Sequence, residues 1–251
     1  MRTLFGNFDP ATQSSVYDVP QTTIVDLGGF ERGDEIRLRT WMVLQATEAG
    51  VPKTILLTYA IPLRDQTFDC HACRPLIGAA VFEKSDHEWK VENSRTVASV
   101  AGSFGQPPEF ARIVNIGPKK IAIEITDGDE GQGQTTTVKT LLVPWEGKVN
   151  ETIERVIADD NKGSECGDPN TLPCYEYHRQ MKFVPGTNAE YYDVVVDLSG
   201  TDITDSEPFR LVKVNATERL EFKTGKYVRL FKKGDTTSLE RFVNELRRPG
   251  S

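Results

Sequence analysis

Cys70-His71-Ala72-Cys73 is the stretch of this chain whose residue types and spacing carry the most chemistry. Two cysteines two residues apart serve as a dithiol redox couple, as half of a tetrahedral zinc site, or as a short structural disulfide. A second pair, Cys166 and Cys174, lies in ADDNKGSECGDPNTLPCYEY. That run is dense in Asp, Asn, Gly and Pro, resists regular structure, and needs a constraint to be ordered. A Cys166–Cys174 bond would close a loop of about nine residues and stabilise the fold by roughly 2.5 kcal/mol in the chain-entropy account. Bridging Cys70 to Cys73 gives about 2 kcal/mol on the same account. Cross-pairing of the two segments is the competing connectivity, and the two local disulfides are the expectation.

The rival chemistries are weaker. A redox CxxC sits at a helix N-terminus, where the dipole lowers the thiol pKa. Here Pro75 follows Cys73 by two residues, a β-rich run comes next, and no βαβ pattern flanks the motif. For zinc, Cys70, Cys73, Cys174 and His178 form a CxxC plus a Cys-x3-His, a permissible tetrahedral ligand set. It leaves Cys166 over and joins distant halves of the chain, so zinc is the alternative reading. Calcium would be drawn to Asp127, Asp129 and Glu130, which lie in ITDGDEGQGQTTT, a Gly-rich loop expected between two strands. The EF-hand pattern fails there, and an acidic hairpin turn is the plainer reading. Asp159, Asp160 and Asn161, with Asp168, form a second oxygen-rich group of the same standing.

No catalytic residue can be named. The chain has 3 histidines (His71, His87 and His178) and lacks the G-x-S-x-G elbow, the phosphate-binding G-x-x-x-x-G-K-[ST] and the dinucleotide-binding G-x-G-x-x-G. Among 37 acidic residues, no carboxylate pair for glycoside hydrolysis can be singled out; a hydrolase is kept as a further alternative. The net charge of −7 and short, scattered basic runs argue against a nucleic-acid surface. No stretch approaches the ~18 apolar residues of a transmembrane helix. Trp41, Trp89, Trp145, Tyr175, Tyr177, Tyr191 and Tyr192 would suit recognition of a protein, peptide or carbohydrate if they shared a face. Their strand setting makes core packing the default.

β-Structure must position these groups. EIRLRTWMVLQA, KTILLTYAI, IGAAVFEK, EWKVENSR, ARIVNIG, KIAIEITDG, TVKTLLVPW, KVNETIERVI and four later segments are strand-like and separated by turn formers. Strict alternation over Lys120–Ile125 predicts one buried and one wet face. The spacing predicts an all-β, antiparallel, multi-stranded sandwich or propeller-like array. Residues 1–20 read as a poorly ordered arm and 21–251 as a single domain. One amphipathic helix is expected over about 237–248: Thr237 and Glu240 make a capping box, and Leu239, Phe242, Val243 and Leu246 form one stripe.

CHAC, the following LIGAAVF and EWKVEN, the Gly102–Pro108 run GSFGQPP, the turn Gly131-Gln132-Gly133 and the Asp160–Gly167 loop DNKGSECG belong together in one respect. Over roughly residues 60–200 the chain resembles a group of uncharacterised bacterial exported β-rich proteins. The resemblance implies a periplasmic or secreted protein and supplies no activity. The first residues carry no apolar leader core, so export implies a leader removed before residue 1; a cytoplasmic protein is the alternative. The combined reading is a disulfide-stabilised, non-catalytic binding or structural module that needs no cofactor.

Overall fold

The computed structural model describes residues 8–9, 11–12, 14–18, 30, 35–63, 68–85, 88–168, 171–204 and 207–235. His87 and the helix expected at 237–248 lie outside the described residues. Within them the chain is all-β and antiparallel, and no helix occurs.

Six strands form one sheet in chain order: β1 (Phe8–Asp9), β2 (Ser14–Asp18), β3 (Glu35–Glu48), β4 (Val51–Pro62), β5 (Leu76–Ser85) and β6 (Glu88–Val100). Eight form the other, also in chain order: β7 (Phe110–Gly117), β8 (Lys120–Gly131), β9 (Gln134–Trp145), β10 (Lys148–Asp160), β11 (Glu176–Val184), β12 (Asp193–Ile203), β13 (Leu211–Lys223) and β14 (Lys226–Asp235). Every neighbour in a sheet is a neighbour in sequence, so both sheets are simple meanders.

Four of the connections explain why. Ala49-Gly50, Gln132-Gly133, Glu146-Gly147 and Thr224-Gly225 each join two strands, with both φ angles positive. Two consecutive left-handed residues make the type I′ turn, whose twist matches that of the flanking strands. Glycine at the second position makes the geometry accessible, and register then follows from the turn.

By internal contacts the chain divides into two units, Met1–Ile113 with Leu142–Glu151, and Val114–Leu141 with Thr152–Pro249. In the first, Phe30, Ile36, Leu38, Leu56, Ala60, Phe68, Cys73, Leu76 and Val97 make a core cluster, and Phe30 meets Phe68 edge-on at 5.2 Å. Each fully buried Leu or Ile there contributes about 1.5–3 kcal/mol. The Glu146-Gly147 turn is tied to β6 in this unit: Gly147 N donates to Asn93 Oδ1 at 3.0 Å, and Ser94 N donates to Gly147 O at 3.1 Å. Lys53, 3% exposed, spans the strands through Glu83 at 2.5 Å and Glu92 at 2.7 Å. Burial alone would depress its ammonium pKa, but the two carboxylates outweigh that and raise it.

In the second unit Val156, Tyr177, Leu198, Val214 and Ala216 form a core cluster. Tyr191 stacks on Phe222 at 4.0 Å, and Tyr227 meets Phe222 edge-on at 5.2 Å. Of the Tyr191-Tyr192 pair, the first is buried and the second half-buried. The expected wet face of Lys120–Ile125 is absent: Ala122 and Glu124 are buried as well as the isoleucines. Ala122 is small enough to be covered, and Glu124 is compensated by Lys139 Nζ at 3.2 Å.

Burial also sets an alkaline limit. It raises the phenol pKa of Tyr177, helped by the charge of Asp159, and that of Tyr227, helped by the charge of Asp193. A raised folded-state pKa contributes stability in full below the unfolded value of about 10, and loses it as pH rises, by up to about 1.4 kcal/mol per pH unit per tyrosine. Lys53 acts in the same direction. Thermal melts between about pH 8 and 11.5 should show Tm falling steeply above about pH 10. Phenolate absorbance from Tyr177 and Tyr227 should appear only with unfolding; full ionisation in the folded protein would contradict their burial.

Candidate functional site

In the first unit the two short motifs of the sequence are halves of one structure. Cys70 and Cys73 are disulfide-bonded across a turn in which Cys73 N donates to Cys70 O at 2.9 Å. The segment 101–106 hydrogen bonds to both carbonyls of the bridge: Phe104 N donates to Cys70 O at 3.1 Å and Gly105 N to Cys73 O at 2.8 Å. The segment closes on itself through Ser103 N to Gln106 O at 3.2 Å and Gln106 N to Ser103 O at 2.8 Å. Arg74 adds a third tie, its Nη2 donating to Val100 O at 3.2 Å.

Gly105 has φ +68, and a Cβ there would overlap the carbonyl oxygen of Phe68. The glycine is therefore needed for the close approach as well as for the left-handed backbone. Phe104 just before it also has positive φ, 51°, and is 51% exposed, with the His71 ring edge-on at 5.2 Å. Phe104 and Gly105 are a left-handed pair like those of the four strand turns, closed by Ser103 and Gln106, and the pair leaves the Phe104 ring half exposed. Phe110, at the start of β7, is likewise exposed. Cys70, His71 and Ala72 are exposed, while Cys73 is in the core cluster.

In the second unit a loop leaves β10 at Asn161 and returns to β11 at Tyr175. Cys166–Cys174 is its covalent brace, with Cα atoms 5.0 Å apart. Asn161 is its polar clamp: its Nδ2 donates to Pro173 O at 3.1 Å, and its Oδ1 accepts from Tyr175 N at 2.7 Å. Gly163 lies against Gly133 of the β8–β9 turn, backbone on backbone. Below the loop Asp159 is buried. Its Oδ1 accepts from Gln134 Nε2 and Thr136 Oγ1, both at 2.9 Å, and its Oδ2 from Tyr175 Oη at 3.3 Å. Gln134 Nε2 also donates to Tyr175 Oη at 3.0 Å. Burial, then the Asp159 charge, raises the Tyr175 phenol pKa. A neutral tyrosine hydroxyl in a saturated network of this kind is built to hold a loop in place.

All four cysteines are in disulfides, so Cys70, Cys73 and Cys174 of the zinc set have their sulfurs in S–S bonds. His178 is exposed, with Nε2 3.1 Å from Glu176 Oε1. Asp127, Asp129 and Glu130 lie in strand β8, which continues to Gly131, and not in a loop; alternation puts Glu130 on the opposite face from the two aspartates. Asp160 turns back to accept from Lys162 N at 3.0 Å, and Asp168 N donates to Thr171 Oγ1 at 3.0 Å. Of the aromatics, Tyr177 and Tyr191 are core residues, while Trp89 is exposed.

Sequence reasoning passed over Phe104. The signal was present: a Phe between a Gly-Ser and a Gly, in a segment with no strand pattern, has no core to enter. No protein-family model, curated protein or solved structure matches the chain.

Proposed function

We propose that this protein is a binding module of an oxidising compartment, the bacterial periplasm or the cell exterior. Its binding rim is the paired Cys70–Cys73 turn and 101–106 segment, and its ligand is a protein or peptide. One observation carries the reading: Phe104, 51% exposed beside the His71 ring, sits at the tip of the 101–106 segment, which is braced by backbone hydrogen bonds on the Cys70–Cys73 turn. An exposed aromatic on a rigid frame is the usual anchor of a protein–peptide contact. The disulfides support the compartment, because reducing cytoplasm does not maintain such bonds.

The test is a comparison of the native chain with Phe104→Asn. Asparagine tolerates the left-handed conformation, so the variant should be as stable as the parent or up to about 1 kcal/mol more stable. Random peptides displayed on phage and selected on the native protein should include aromatic- or proline-bearing sequences that bind the variant at least about tenfold more weakly, the loss expected of one aromatic anchor. Peptides that bind both proteins equally would overturn this assignment of the rim.

A further inference from the structure

We infer that Cys70–Cys73 is a thiol–disulfide exchange site, attacked at Cys70, for a thiol-bearing protein that docks beside it on Phe104. The docking half rests on the binding reading above; the sulfur half does not.

Three observations point there. First, the two ends of the bridge are unlike: Cys70 is exposed, whereas Cys73 is 8% exposed and packed in the core cluster with Phe68 and Leu76. An incoming thiolate therefore meets one residue of the bridge and not the other, which gives the exchange a direction. Second, the frame of the turn does not depend on the S–S bond. The hydrogen bonds Cys73 N to Cys70 O, Phe104 N to Cys70 O and Gly105 N to Cys73 O all run through the backbone and involve neither sulfur. A bridge that closes only the short Cys70–Cys73 turn also adds less stability than one closing the Cys166–Cys174 loop. Third, the exposed Phe104 is hydrogen-bonded through its own N–H to the carbonyl of Cys70. The best apolar anchor on the rim is thereby next to the exposed end of the bridge.

A thiolate of the partner attacks Cys70 Sγ, the Cys70–Cys73 bond breaks, and Cys73 leaves as a thiolate that takes up a proton. The partner's second thiolate then attacks its own sulfur in the mixed disulfide and releases Cys70, which is protonated in turn. Two electrons pass from the partner dithiol to the bridge, and the partner leaves with a disulfide.

The sulfur half is tested with dithiothreitol as the probe. Native protein is equilibrated over a series of dithiothreitol concentrations, quenched with an alkylating reagent and mapped by mass spectrometry. Cys70 and Cys73 should be labelled at a lower dithiothreitol concentration than Cys166 and Cys174. The protein labelled only at Cys70 and Cys73 should keep its native near-ultraviolet dichroism. Opening of Cys166–Cys174 first, or unfolding when Cys70–Cys73 opens, would overturn the site. The docking half is tested with Cys73→Ser, which leaves Cys70 as a single thiol, against the disulfide of a phage-selected peptide carrying cysteine and against oxidised glutathione. Adding Phe104→Asn should slow the peptide reaction about tenfold, the weight of one anchor, and leave the glutathione reaction unchanged. Equal slowing of both, or of neither, would overturn the docking half while the dithiothreitol order still decides the sulfur half.

Discussion

Arg219→Ala is expected to lower the unfolding free energy by about 3–5 kcal/mol, a large share of the roughly 5–15 kcal/mol that holds a domain of this kind together. Asp193, the first residue of β12, is the reason. Its side chain is 2% exposed, and Arg219 Nε reaches Oδ2 at 2.7 Å from β13. Oδ1 has no hydrogen-bond partner among the described residues, and the carboxylate is packed against Gly186 so closely that a Cβ there would overlap it. Removing Arg219 therefore leaves a buried carboxylate without its cation.

The reverse substitution is milder. Asp193→Asn keeps the shape and leaves behind Arg219, which is 33% exposed and can turn to solvent. Its cost should be about 1–2 kcal/mol. Chemical denaturation of both variants checks the asymmetry; an Asn variant as damaged as the Ala variant would show that the pair is not a buried-charge pair.

Asn161→Ala is the second large effect, expected at about 2–4 kcal/mol. The amide satisfies Pro173 O and Tyr175 N, the two backbone groups that bring the loop back to the sheet beside Cys174. Alanine leaves both unpaired where the side chain was 7% exposed. Asn161→Asp keeps the acceptor for Tyr175 N and should recover about half of the loss. Hydrogen exchange gives the local readout: the Tyr175 amide should lose protection in the alanine variant while the β12–β13 ladder keeps its own. A variant within about 0.5 kcal/mol of the parent would mean that the disulfide alone fixes the loop.

What the sequence disclosed, and what it withheld, follows from the range of the interactions. Antiparallel β-structure was legible in segments such as Lys53–Ile61 because apolar β-branched content and short turns are local properties, as was the pairing of Cys166 with Cys174 inside one irregular loop. A meander was legible from Ala111 to Ile157, but not that it runs through both sheets, although the Ala-Gly, Gln-Gly, Glu-Gly and Thr-Gly turns specify it. Their first residues are not the Asn or Asp that usually mark a type I′ turn.

Asp127 to Glu130 read as a loop because Asp and Gly are poor strand formers, yet register imposed by the Gln132-Gly133 turn carries β8 through them. The buried Glu124 could not be foreseen, since Lys139 that compensates it comes from another strand. For the same reason CHAC and GSFG stood in the sequence as two separate motifs. Their union depends on backbone hydrogen bonds between residues some thirty positions apart, about which neither motif carries information.

The most direct test of the account is the redox state of the cysteines in protein taken from its native host with acid quenching. The sample is unfolded in the presence of a chelator and an alkylating reagent, and the labels are mapped by mass spectrometry. An oxidising-compartment module braced as described predicts no label on Cys166 or Cys174, with any label confined to Cys70 and Cys73. Labels on all four cysteines, together with bound zinc before the chelator is added, would contradict it and identify a reduced, metal-holding protein of the cytoplasm.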